Sequence, residues 1–147
     1  MFEECEVTMM RFLLLALWVL LSMGIIGGCE GADEQPAAAV PTPKMPDGWK
    51  VVEDFQVSPT QLKEFSVRMN ADLLGIRNTS FEVEGLPIKV NTIVAATAAD
   101  AEKAMSYMKG IKSEQALLLR GLTIYELVGT NEINHLIPVA RQHLETL

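Results

Sequence analysis

The side chains able to do chemistry in this 147-residue chain are few: two cysteines, Cys5 and Cys29, two histidines, His135 and His143, and a scatter of carboxylates and arginines. Glu132 and His135 stand three residues apart in a segment of helical spacing, which could turn two metal ligands onto one face. His143 lies two turns further on and no other ligand occurs at a diagnostic spacing, so no metal site is expected. Glu53 interrupts an otherwise apolar run, and Arg77 and Arg120 fall in extended stretches. A carboxylate drawn into an apolar site beside an arginine is one route to a small hydrolase. Residues of this kind more often sit at a sheet edge or form a structural ion pair. The chain contains no Gly-x-Ser-x-Gly, no phosphate-binding loop and no glycine-rich dinucleotide fingerprint. The leading expectation is a non-enzymatic binding or interaction module without a cofactor, with an enzyme using Glu53 and Arg77 or Arg120 as the alternative.

A regular succession of elements would position these residues. Trp49, Val51, Phe55 and Val57 alternate in period two and predict a first strand in which Glu53 is the exception. Ser58-Pro59-Thr60-Gln61 announces a helix, with serine as N-cap, proline at the first helical position and glutamine closing a capping box. Val57 and Leu62 would staple its start, and Leu62, Phe65, Met69 and Leu73 share a face. Two extended runs, about Ile76 to Glu84 and Leu86 to Ala96, meet at Glu84-Gly85, where glycine supplies the positive φ of a tight hairpin.

Thr97-Ala98-Ala99-Asp100 caps a second helix ending at Gly110, with Ala101, Ala104, Met105 and Met108 on its inner side and Lys103, Lys109 and Lys112 late, where the helix dipole favours them. Ala116 to Arg120 and Leu122 to Gly129 read as extended, with Gly121 a bulge or turn between them. From Asn131, Ile133, Leu136, Ile137, Ala140 and Leu144 recur at helical spacing, with a kink expected at Pro138. Tyr107, Tyr125 and Met69, Met105 and Met108 read as core. The order predicts an α+β fold, a ferredoxin-like split βαβ sandwich (βαββαβ) with an additional C-terminal helix.

The amino-terminal region carries the most specific signal. The apolar core from Phe12 to Ile26 is 15 residues long, within the reach of a signal-peptide core and short of the roughly 20 residues that a spanning helix needs. Residues 1 to 10 carry Glu3, Glu4 and Glu6, whereas a start at Met9 or Met10 places Arg11 directly before the core, so the true start is read as Met9 or Met10. Ile26-Gly27-Gly28-Cys29 resembles the lipobox of bacterial lipoprotein precursors. The resemblance implies a signal peptide over 1–28, cleavage between Gly28 and Cys29, and a diacylglycerol thioether on Cys29 with acylation (palmitate-type chains) of the new amino terminus. It implies a bacterial cell-envelope location, at the outer membrane or the periplasmic face, since Glu30 rather than the aspartate of inner-membrane retention follows Cys29. An uncleaved single-pass anchor is the competing reading, because 17 residues from Phe12 to Gly28 just span a hydrocarbon core.

Beyond Cys29 lies a disordered linker, Glu30 to Pro46, with four prolines and no aromatic residue; at about 3.1 Å per residue it would reach on the order of 50 Å. The domain layout is thus 1–28 signal, 29–46 lipidated cysteine and tether, and 47–147 one α+β domain. With Cys5 removed and Cys29 acylated, no cysteine pair is left for a disulfide or a metal. Past Cys29 the chain holds 11 Lys and Arg against 16 Asp and Glu, a net of −5 without a basic cluster, which argues against nucleic acid and leaves membrane contact to lipid. Two or three acyl chains would hold where a single one, at about 10⁴ M⁻¹, does not. Asn78-Thr79-Ser80 fits the N-glycosylation pattern and is read as accidental in a bacterial envelope protein. The expected partners are the membrane, through the lipid anchor, and an envelope protein or a small ligand.

Overall fold

Alternating apolar residues in the middle of the chain build a sheet whose two faces are both buried, and the remaining elements are arranged around that fact. The structure, a computed structural model, describes residues 37–147. The expected signal peptide, the Gly28–Cys29 junction and the first part of the linker lie outside the described residues. The strands are β1 (Lys50–Gln56), β2 (Leu73–Val83), β3 (Leu86–Ala95), β4 (Leu117–Arg120) and β5 (Thr123–Gly129). The helices are α1 (Pro59–Met69), α2 (Ala98–Lys109) and α3 (Ile137–Thr146). No helix among the described residues is long and apolar enough to cross a membrane.

Local chemistry sets the boundaries. At α1 the Ser58 hydroxyl accepts from the Gln61 amide while the Gln61 side chain accepts from the Ser58 amide, a closed capping box with Pro59 in the first turn. Asn70 ends that helix in the left-handed conformation, φ 50°. Thr97 caps α2 through the Asp100 amide. The β2–β3 turn uses positive φ at both Glu84 (54°) and Gly85 (79°), the mirror-image turn that suits the twist of two paired strands. Gly121, at φ 58°, makes a turn rather than a bulge, so the last extended stretch folds back as the β4–β5 hairpin. Pro138 does not kink a helix. It lies in the first turn of α3, preceded by a 3₁₀ stretch Asn131–Leu136, where its missing N–H costs nothing.

The sheet is antiparallel throughout, in the order β1-β2-β3-β5-β4. The fold is α+β, but the strand order is not the expected ferredoxin-like one. A split βαβ unit holds its two strands parallel with a third between them, whereas here β1 and β2 are direct antiparallel neighbours and the chain passes through α1 between them. Ile76, Ile93 and Ile124 stand in register on one face and pack with Leu62, Met69, Ala101, Ala104 and Met108 of α1 and α2. Phe81, Ile88, Val90 and Leu127 face the other way, onto Ile133 of the 3₁₀ stretch and Ala140 and Leu144 of α3, while Trp49 meets Phe81 edge to face at 6.1 Å. Each fully buried aliphatic side chain contributes about 1.5–3 kcal/mol.

The domain also begins earlier than the composition of the linker suggests. Residues 37–42 lie along the β1–β2 edge as a clip. The Ala38 amide donates to the Leu74 carbonyl, and the Gln56 amide side chain takes the Ala38 carbonyl at 2.7 Å and the Val40 N–H at 3.1 Å. Arg77 donates to the Val40 carbonyl at 2.9 Å, and Thr42 donates to Asp54 at 2.8 Å. Val40 itself is 2% exposed. Gly75 makes room for it: a Cβ there would stand 2.5 Å from Val40 Cγ2 and 2.8 Å from the Ala38 carbonyl oxygen. The boundary placed at residue 47 therefore moves back to at least residue 37, because side-chain amide and guanidinium groups satisfy the backbone of the clip as a neighbouring strand would. Gly75→Ala should push the clip off, lowering stability by about 1–3 kcal/mol and accelerating tryptic cleavage after Lys44. Unchanged cleavage and an unchanged melting temperature would contradict this placement.

Candidate functional site

The apolar rows of the sheet stop one pleat short of where α1 and α2 stop covering it. Below the Ile76–Ile93–Ile124 row, the next row on the same face is Asn78, Asn91 and Glu126, paired across β2, β3 and β5. The last turns of α1 and α2 and the residues after α2 stand over this polar row and leave a groove of about 260 Å³. Its walls are apolar, including Phe65 and Met69 from α1 and Tyr107, Met108 and Ile111 from α2 and its exit; its floor is Ile76, Ile93 and the polar row; Arg68 and Lys112 stand at the rim.

Glu126 is 7% exposed in this floor, and its two oxygens are separately held. Asn91 Nδ2 donates to Oε2 at 2.8 Å; Lys112 Nζ stands 2.9 Å from Oε1 as its countercharge, while Oε1 itself has no hydrogen-bond partner among the described residues. A carboxylate at this depth needs both a countercharge and a hydrogen bond, and it has them. The Asn78 side chain and Asn91 Oδ1 have no hydrogen-bond partner among the described residues and face the groove. The result is an apolar cleft with a charge-neutral floor and free amide groups, the usual make-up of a small-molecule site.

The residues singled out from the sequence are scattered. Glu53 is exposed on the edge strand β1, accepts a long 3.4 Å hydrogen bond from Ser80, and shares its face with the also exposed Phe55, while a bulge between Val51 and Glu53 turns Val51 to the other face. Arg77 projects from the opposite face, where it forks onto Asp54 with two bonds of 2.7 Å. Arg120 is at the far edge and donates to the Leu144 carbonyl at 3.2 Å. Among the described residues Glu53, Arg77 and Arg120 lie apart, the first and last at opposite edges of the sheet. His135 is exposed and His143 partly so on α3, and the described residues hold no group of three or more His, Cys, Asp or Glu side chains that could bind a metal. Met108 lines the groove as well as the core, whereas Tyr107, expected in the core, is 40% exposed and lines the groove alone. Cys29 and Gly28 lie outside the described residues.

Sequence reasoning missed Asp54, Asn91, Lys112 and Glu126. The available signal was Glu126, a carboxylate with Ile124 and Val128 at its own parity in a stretch read as extended. A comparison with protein-family models, curated proteins and solved structures finds no match to this chain.

Asp54 is the residue that joins the clip to the sheet. Its carboxylate accepts from Arg77, Thr42 and Thr79, and the Arg77 hydrogen bonds, against some burial cost, lower its pKa from 3.8 to about 2. A depressed carboxylate contributes stability that is fully present above its unfolded pKa and lost as pH falls through the folded one. The wild-type protein should thus lose on the order of 2 kcal/mol between pH 4 and pH 2 from this group. Asp54→Asn should start less stable at neutral pH and show a shallower acid limb in a denaturation series; parallel pH profiles would contradict the assignment.

Proposed function

We propose that this chain is a lipid-anchored protein of the bacterial cell envelope whose α+β domain is a non-enzymatic binding module, with the groove beneath α1 and α2 as its ligand site. The observation that carries the binding reading is the polar row under apolar walls: a concave site offers unused amide groups while its one buried carboxylate is neutralised. A general acid or base needs a carboxyl free to exchange its proton with a substrate. Glu126 is bonded by Asn91 through one oxygen and ion-paired with Lys112 through the other, and Asp54 is held ionised by Arg77. Attachment rests on the lipobox-like Ile26-Gly27-Gly28-Cys29.

The clip changes what the linker does in this arrangement. With residues 37–42 fastened to the domain, the spacer between Cys29 and the folded part is at most the seven residues 30–36. Seven residues reach at most about 25 Å. The domain works close to the headgroups, not some 50 Å above them.

Expression of Cys29→Ser in a bacterial host tests the anchor. The wild-type product should have the mass of a chain beginning at residue 29 plus acyl groups and should partition into detergent. The Cys29→Ser product should keep its signal and carry no acyl groups, so the two intact masses differ by the signal and the lipid. A wild-type product that keeps residues 1–28 or carries no acyl group would overturn the lipid anchor.

A further inference from the structure

We infer that the groove takes a small neutral molecule made of an apolar body and one carboxamide-like group, which pairs with the side chains of Asn78 and Asn91. The inference rests on the binding reading above and deepens it.

Three features lead to this class. The first is size: about 260 Å³, at the roughly 30 Å³ that a water-sized group occupies, encloses about nine non-hydrogen atoms. The second is charge. Glu126 and Lys112 cancel at 2.9 Å, and Arg68 sits in the last turn of α1, where the partial negative charge of the helix end already favours a cation. Arg68 remains at the rim, but the floor itself holds Glu126. A carboxylate entering the floor would give up its hydration and stand against the Glu126 carboxylate, and an ammonium would have to displace or meet Lys112.

The third is the hydrogen-bond inventory. Asn78 offers two donors and an acceptor; Asn91, with one Nδ2 hydrogen on Glu126, offers the other and its carbonyl oxygen; and Glu126 Oε1 has no hydrogen bond of its own. A wholly hydrocarbon occupant would bury these groups without partners, which is costly. A carboxamide brings N–H donors and a carbonyl together and can give each asparagine a partner. Phe65, Met69 and Met108 then enclose the apolar body, with methionine able to adjust to its outline.

The test uses the full chain, extracted from membranes and held in lipid nanodiscs, titrated with three probes of matched size: phenylacetamide, phenylacetate and ethylbenzene. Binding is followed by ligand-observed and backbone-amide NMR. Phenylacetamide should bind saturably, with amide shifts confined to residues lining the groove, and at least tenfold more tightly than phenylacetate. Asn78→Ala should weaken phenylacetamide by roughly two- to tenfold and leave ethylbenzene unchanged or improved.

A Met108→Trp variant, which fills the cavity, should abolish binding of phenylacetamide; unchanged circular dichroism and melting in both variants show that the fold is kept. If either variant unfolds, the probe ranking on the wild-type protein decides alone. Tighter binding of phenylacetate, equal binding of all three probes, or no saturable binding to the folded wild-type chain overturns the ligand class. An intact mass without acyl groups would overturn the anchor and leave the probe ranking unaffected, so the two failures are distinguishable.

Discussion

One sheet with two buried faces is the constraint from which the rest of this structure follows. Ile76, Ile93 and Ile124 must be covered on one side and Phe81, Ile88, Val90 and Leu127 on the other, so the three helices divide between the faces. Two of them share the first face, and there the apolar pattern gives out after a single pleat, at Asn78, Asn91 and Glu126. The helices extend over this polar row without packing into it. A groove is the geometric consequence, and its chemistry is the chemistry of that row: amides that want partners and a carboxylate that already has them.

The other organising interaction is the Arg77–Asp54 fork. It lies on the opposite face, and through Val40 and Thr42 it ties a proline- and alanine-rich segment to strands that are otherwise at the sheet edge. An edge strand left bare is open to pairing with other chains. β1 is blunted by its bulge, by Lys50 and by Glu53, and the backbone of β2 beyond the end of β1 is taken by Ala38. Clip and groove are thus separated across the sheet: the clip closes one side and the groove opens the other.

Much of this was legible in the sequence where the signal is local. The Ser58 capping box, the Thr97 cap and the Glu84-Gly85 turn are short-range devices whose residues define their geometry. The strand order was not legible, because antiparallel pairing of β1 with β2 across a helix leaves the same element succession as a split βαβ unit, and only the pairing distinguishes them. The clip was invisible for a related reason. Its composition is that of a linker, and its order comes from Gln56, Arg77 and Gly75, which are 16 to 37 residues away. Glu53 drew attention as a charge in an apolar run, yet it shares an exposed face of the edge strand with Phe55, whereas Glu126, in a comparable run, holds the floor of the groove.

The central claim is that a membrane-held domain uses the groove over Asn78, Asn91 and Glu126 to carry a small neutral molecule. Native mass spectrometry of the full chain, released gently from the membranes in which it was made, tests this most directly. The account predicts an acylated polypeptide beginning at residue 29 that retains a single noncovalent small-molecule adduct, with the adduct missing from a Met108→Trp preparation. An adduct of the same mass persisting on that cavity-filled protein would contradict it.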